Sequence, residues 1–268
     1  MQGCKKFFKI VFVSLFSIAL TAFADTSVDE LNKETQNPIA NLTSLPFQNN
    51  WGFNVGPDKE TDYLVNIQPV MPFQLNDHWN LITRTVLPVT NQPPLLPGTE
   101  SVFGLSDTTF TAFLSPISNS DFTWGVGPAF LIPTGTDNAL SERQWGTGPS
   151  LIALIQAHSW TVGILTNQIW SYTSAPNYPS VNAALFQPFV AYSFPHGWST
   201  SFVSETTSNW EAPENNRWTV PLDLVLTKIV MFGKQPVVIG GGPRYFPIKP
   251  AGQATWGARF VVSFLFPK

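Results

Sequence analysis

The stretch from Phe122 to Ser171 constrains the chain most, because its character changes at every second residue. Phe122, Trp124, Val126, Phe130 and Ile132 are bulky, while Thr123, Gly125, Gly127 and Ala129 between them are small or polar. A period of two gives a strand two unlike faces. A polar loop from Thr134 to Gln144 follows, and Trp145 opens a second run that ends at His158-Ser159. Trp160 at once opens a third, with Trp160, Val162 and Ile164 on one face. Strand, long loop, strand, short turn, strand is the pattern to look for elsewhere.

It recurs along most of the chain. Leu45, Phe47, Trp51, Phe53 and Val55 share a face, against Gln48, Asn50, Gly52 and Asn54. Tyr63, Val65, Ile67, Met71 and Phe73 oppose Asn66, Gln68 and Gln74, and Trp79, Leu81, Leu87 and Val89 alternate with Asn80 and Arg84. The run from Phe103 to Leu114 is long enough for a strand but shows no consistent facing. Later runs put Phe186, Val190, Tyr192 and Phe194, then Trp198, Thr200 and Phe202, then Trp218 to Leu226, Val237 to Tyr245 and Trp256 to Phe266 on single faces at spacing two. This gives about twelve runs of roughly ten to twelve residues, the length a tilted strand needs to cross a bilayer. Short turns and longer polar loops alternate between them. The expected fold is therefore all-β, a transmembrane antiparallel up-and-down barrel of about twelve strands.

Composition agrees. Charged residues make up 12% of the chain and aromatics 14%, with a mean hydropathy of only +0.04. Where alternate residues face lipid, few charges and middling hydropathy go together. The net charge of −3 leaves no basic footprint for nucleic acid. At the start, Lys5, Lys6 and Lys9 precede an apolar core from Ile10 to Phe23 that closes on Ala22-Phe23-Ala24. These are the parts of a cleaved export signal over residues 1–24, and the core is shorter than the roughly 20 residues of a spanning helix. Cys4, the chain's single cysteine, leaves with the signal, so neither disulfide nor thiolate chemistry is expected of the mature chain. Residues 25–43 read as a polar leader into the first strand. A plug or periplasmic docking helix is the alternative, from a short stripe at Val28 and Leu31. Residues 44–268 form the barrel. The expected location is the outer membrane of a Gram-negative-type bacterium, with the bilayer, periplasmic chaperones and the barrel-assembly machinery as partners.

The ten tryptophans divide by position. Trp79, Trp124, Trp160 and Trp198 open strands after short turns, whereas Trp51, Trp145, Trp170, Trp210, Trp218 and Trp256 lie near long loops. In a barrel these form two aromatic girdles, one at each membrane interface. Against the pattern, Pro69, Pro72, Pro88, Pro128, Pro149, Pro188, Pro221 and Pro243 fall inside the runs. Proline removes a ladder donor. The recurring elements WGVGP (124–128), WGTGP (145–149) and GGGP (240–243) therefore read as bulged strand positions.

Little in the sequence points to catalysis. His78, His158 and His196 all fall in short turns, and Ser150 in GTGPS is no nucleophile elbow, which argues against a barrel hydrolase. Metal-ligand spacing and cofactor motifs are absent, so no cofactor is expected. The interior charges say more. Parity places Arg84, Glu205, Asp223, Arg244 and Arg259 on the face away from lipid, the last four on four consecutive strands. They are expected to meet at mid-height on one wall, either as a lattice that stiffens a narrow barrel or as a constriction that selects solutes.

Several segments also resemble a known family. NPIANLTSLPFQNNWGFNVGP (37–57), NIQPVMPFQLNDHWNLITRTVLPV (66–89), WGVGPAFLIPTGTD (124–137), NRWTVPLDL (216–224) and RFVVSFLFPK (259–268) look like the bacterial transporter family labelled meta-pathway phenol-degradation proteins, often misnamed neuromedin U. The resemblance implies an outer-membrane barrel that carries small, hydrophobic or aromatic solutes. It supplies no binding residues. One departure from barrel habit is the end, where Pro267-Lys268 follow Phe266 and many barrels stop on an aromatic. The expected function is a passive channel, with a non-conducting structural or surface-attachment barrel as the alternative and a barrel hydrolase behind it.

Overall fold

The computed structural model describes residues 27–118 and 120–267. The expected export signal lies outside them. Strands make up 62% of the described residues and close into an antiparallel barrel of twelve. In order they are β1 (Thr43–Val55), β2 (Glu60–Ile67 and Val70–Gln74), β3 (Trp79–Gln92), β4 (Val102–Leu105 and Thr108–Pro116), β5 (Phe122–Ile132) and β6 (Gly146–Ala157). Then come β7 (Trp160–Ser171), β8 (Asn182–Ser193), β9 (Trp198–Val203 and Thr206–Asn209), β10 (Trp218–Phe232), β11 (Gln235–Ile248) and β12 (Trp256–Phe266). Each pairs with its sequence neighbours. β12 closes the ring on β1, in register from Thr43↔Phe266 to Phe53↔Trp256, so no edge is left to template another chain.

Alternation decides which side chain goes where. Leu151, Ile155, Val162, Ile164, Leu224 and Leu226 stand exposed on the outer wall, while Ile152, Leu154, Leu165 and Val225 between them are buried inside. Three strands are interrupted once, and in two of them proline alone accounts for the interruption. Gln68 donates to the Pro46 carbonyl (2.9 Å) and Ser204 to that of Pro188 (3.1 Å), but neither proline has an N–H to return. The pairing resumes in the same register beyond both gaps, so β2 and β9 keep their facing.

β4 is different. Val89 pairs with Leu105 but Val86 with Thr109, so the Ser106-Asp107 segment holds one extra residue. Phe103 faces outward before this bulge and Leu114 after it, while Phe113 is buried within the barrel. A single parity cannot describe the strand, which is why its facing is unreadable from the pattern. A second bulge, at Asn54 (φ 64°), turns Val55 from the expected outer face into a buried position. A third lies opposite Pro221, where β11 holds one extra residue between Tyr245 and Ile248.

The Gly-Pro elements do not fall at bulges. β5 and β6 stay in register throughout, with Pro128 directly opposite Pro149, and β11 and β12 stay in register past Pro243. What these elements share is close approach. A Cβ on Gly127, Gly148 or Gly242 would collide with the carbonyl oxygen of Ala112, Gln168 or Leu224 on the adjacent strand. The glycine before each proline lets the backbone lie against its neighbour where the ladder lacks a donor.

The segment ahead of β1 is no loose leader. Ser27 caps helix α1 (Val28–Thr35), its Oγ accepting from Glu30 N at 3.1 Å. The helix is bound to the short-turn end of the barrel. Gly197 N donates to Asp29 Oδ1 (2.8 Å), Asn32 Nδ2 to Trp198 O (2.8 Å), and Gln156 Nε2 to Lys33 O (2.9 Å). Leu31 and Leu42 pack on Ile229, Val238 and Leu265 of one wall. Ile39 reaches the other, among Ile82, Phe113, Ile152 and Leu165. Residues 28–42 thus cross the lumen and fill much of its short-turn half.

Candidate functional site

At mid-height the lumen is spanned by a belt of hydrogen-bonded polar side chains. Its centre is the group that β9 to β12 bring to one wall: Glu205, Asp223, Arg244 and Arg259. Asp223 pairs with Arg244 across β10 and β11, and Gly242 with Arg259 across β11 and β12, so the two guanidinium groups come from adjacent strands at nearly one level. Arg259 grips Glu205 in a fork, Nη2 to Oε2 at 2.7 Å and Nη1 to Oε1 at 3.2 Å, and its Nε donates to Asn50 Oδ1 at 2.8 Å. Bidentate, charge-assisted bonds of this kind are the strong ones. Arg244 donates to the same Asn50 oxygen (2.7 Å) and stands 3.4 Å from Glu205 Oε2.

Asp223 is placed differently. Its side chain is 0% exposed, and its oxygens lie 2.9 Å from Arg244 Nε and 3.4 Å from Arg259 Nη1. These are ion pairs by distance but not directed hydrogen bonds, since neither Asp223 oxygen nor Arg244 Nε has a well-aligned partner. Asp223 therefore lies behind the arginines as a neutralising charge, and Glu205, 19% exposed, fronts the lumen.

From Glu205 the belt runs on to the β3 wall. Gln48 Nε2 donates to Glu205 Oε1 (3.3 Å), Gln68 Nε2 to Gln48 Oε1 (3.0 Å), and Arg84 Nη2 to Gln68 Oε1 (2.8 Å). Arg84 thus stands apart from the other four charges and joins them through two glutamines. Gln48, Asn50 and Gln68 are the members that charge alone did not pick out. Parity put all three on the inner face, and that signal was enough to find them.

The belt divides the lumen. On the long-loop side is a cavity of about 430 Å³, and on the short-turn side one of about 260 Å³, walled partly by residues 34–42 of the N-terminal segment. Gln68, Arg84, Gln187 and Glu205 line both. Over the long-loop mouth, the bulge of β4 frees Asp107 to hold the loop after β5. Its Oδ1 accepts from Gly135 N (3.0 Å) and its Oδ2 from Glu142 N (2.7 Å).

The tryptophans occupy two levels. Trp79 meets Trp124 edge-to-face (6.1 Å), Trp160 meets Tyr192 (4.8 Å), and Lys228 lies over Trp198 (4.9 Å), all beside short turns. Near the long loops, Trp51 contacts Tyr63 (5.2 Å), Trp256 contacts Phe53 (4.5 Å) and Trp210 contacts Trp218 (5.4 Å), with Trp145 and Trp170 exposed. His158 (φ 54°) and His196 (φ 63°) sit in the tightest part of their turns, and His78 in another. All three are at the end of the barrel away from the larger cavity.

Among solved structures the chain is similar to an outer-membrane channel from Pseudomonas putida F1. The TM-score is 0.62 and the identity 16%, over 84% of this chain and 94% of that one. It is also similar to the NanC porin, at a TM-score of 0.52 and 12% identity, over 84% of this chain and all of the other. At these identities the likeness is one of fold. No family model matches the chain and no curated protein does, so the family resemblance stands on the segments quoted above.

Proposed function

We propose that the chain is an outer-membrane channel that passes small solutes through its lumen. The observation that carries this reading is the belt itself. A closed barrel with an apolar outer wall encloses two cavities, and the groups between them are charged, hydrogen-bonded and shared by both. Such a belt acts as a polar constriction, admitting solutes by size and charge. The two levels of tryptophan serve as interfacial girdles, and the long loops face outward from the cell. The family resemblance adds hydrophobic or aromatic compounds as the solutes, and the pattern of residues 1–24 adds export by a cleaved signal, followed by machine-assisted insertion.

Conductance in a planar bilayer tests this. The protein is expected to give discrete current steps, and Arg244→Ala to shift the reversal potential towards cations while Asp223→Ala shifts it towards anions. Shifts of the same sign would mean that the variants only loosen the barrel. A second reading, a non-conducting structural barrel, is favoured by the N-terminal segment packed across the short-turn half. A complete absence of current steps would decide for it.

A further inference from the structure

We infer that the larger cavity is a binding site for monoanionic amphiphiles, small molecules with one carboxylate-like head and an apolar body, and that Arg84 holds the head. This deepens the channel reading and rests on it. Two observations meet here. The first is the state of Arg84. Arg244 and Arg259 each share carboxylates with Glu205 and Asp223, but no carboxylate among the described residues lies within 4.0 Å of Arg84. Its single hydrogen bond among the described residues, to Gln68, uses one of the five N–H donors of a guanidinium. The others are not sealed in the wall, because Arg84 lines both cavities at the level where they meet. A half-buried cation with free donors in a fork is built for an oxyanion.

The second observation is what surrounds it. The inner wall of a water-filled channel is expected to be polar. Here Val86, Leu131, Ile169, Val181, Leu185 and Phe246 line the cavity of about 430 Å³ that Arg84 borders. These are apolar side chains on the lumen face with open space beside them, and an apolar body would gain by covering them. Arg84, Glu205 and Arg244 are the charged groups lining this cavity, a surplus of one positive charge, so a single anionic head is balanced and a second charge is not. One anionic head against Arg84 and one aliphatic tail against Leu131, Ile169 and Leu185 is the arrangement that satisfies both.

Hexanoate and its neutral isostere hexanamide separate the two contributions. With the full-length protein in a planar bilayer, hexanoate is expected to reduce the ion current in a saturable way, at a concentration at least about tenfold lower than hexanamide. Arg84→Gln should remove that difference, and Arg84→Lys should keep most of it. Equal action of the two probes on the parent protein would overturn the proposal, as would a hexanoate response unchanged in Arg84→Gln. Should the parent carry no current at all, the channel reading fails by itself. Calorimetric titration of hexanoate into the protein in lipid nanodiscs then decides the site. Saturable heat with the parent and none with Arg84→Gln supports it, and identical traces sink it. The comparison of probes on the unaltered protein holds even if a variant does not fold.

Discussion

Arg259→Met takes the central cation out of the belt while keeping an apolar chain of similar length. Arg259 is 3% exposed and makes the fork to Glu205, the bond to Asn50 and the pairing with Asp223. Its loss leaves Glu205 and Asp223 to share Arg244, whose approach to Glu205 is long at 3.4 Å and whose pairing with Asp223 is poorly aligned. Breaking a buried ion pair from one side costs about 3–5 kcal/mol. Glu205 still reaches lumen water, so the lower end, about 3 kcal/mol, is expected here. Arg244→Met should cost less, because among the described residues its only short directed bond is the one to Asn50. Combining Arg259→Met with Glu205→Gln should recover part of the loss, since the orphaned carboxylate is then gone. Urea unfolding of the barrel from lipid vesicles, followed by the fluorescence of the ten tryptophans, gives the free energies. If Arg259→Met unfolds within about 0.5 kcal/mol of the parent, or if the double variant is simply additive, the belt does not hold the wall together as argued.

Other expectations follow from single positions. Leu224 is 52% exposed on the outer wall, so Leu224→Arg should cost roughly 2–4 kcal/mol in a bilayer. Its buried neighbour Asp223 belongs to the belt, so Asp223→Asn should cost about as much in the same unfolding assay, whereas parity alone would rank it far lower. A cysteine at Asn138 should react with a membrane-impermeant reagent in intact cells and one at Ser159 should not; the opposite labelling would invert the barrel in the membrane. Burial, and after it the charge of Glu30, raises the Glu34 carboxyl above its ordinary range. The docked helix then binds that proton more tightly than the released one, so docking strengthens as pH falls through the raised value and weakens as pH rises. Hydrogen exchange of residues 28–36, corrected for intrinsic rate, should show this pH dependence in the parent and lose it in Glu34→Gln.

The architecture was legible because a closed barrel repeats one simple rule, inside then outside, over every strand. The ladder is disturbed in two ways, and both are local. Where one residue is inserted, at Asn54 and at Ser106-Asp107, parity flips and every assignment beyond the bulge changes face. Where proline removes a donor, at Pro46 and Pro188, the ladder opens but the register survives, whereas opposite Pro221 it shifts. Nothing in the identity of a proline separates these cases. What decides them is whether the partner strand can keep pace, and that depends on residues far away in sequence.

The belt was readable for a related reason, and only in part. Four charges at similar depth on consecutive strands must meet, because neighbouring strands in an antiparallel barrel lie about 5 Å apart. Their division of labour could not be read, since which carboxylate fronts the lumen depends on how deeply each side chain is covered. Asp223 is covered completely and Glu205 is not. The N-terminal segment was the hardest to place. Its stripe of Val28 and Leu31 is too short to declare a buried helix, and what it packs against, Ile229, Val238 and Leu265, lies about 200 residues on. Yet the inward-facing leucines and isoleucines at the short-turn ends of β3, β6, β7, β10 and β12 carried a signal of their own. Ile82, Leu154, Leu165, Ile229 and Leu265 stand where a water-filled lumen would place polar residues. Apolar residues on the inner face of a barrel need something to cover them. In the short-turn half that is the chain's own Leu31, Ile39 and Leu42; in the long-loop half the apolar wall around Arg84 is still open.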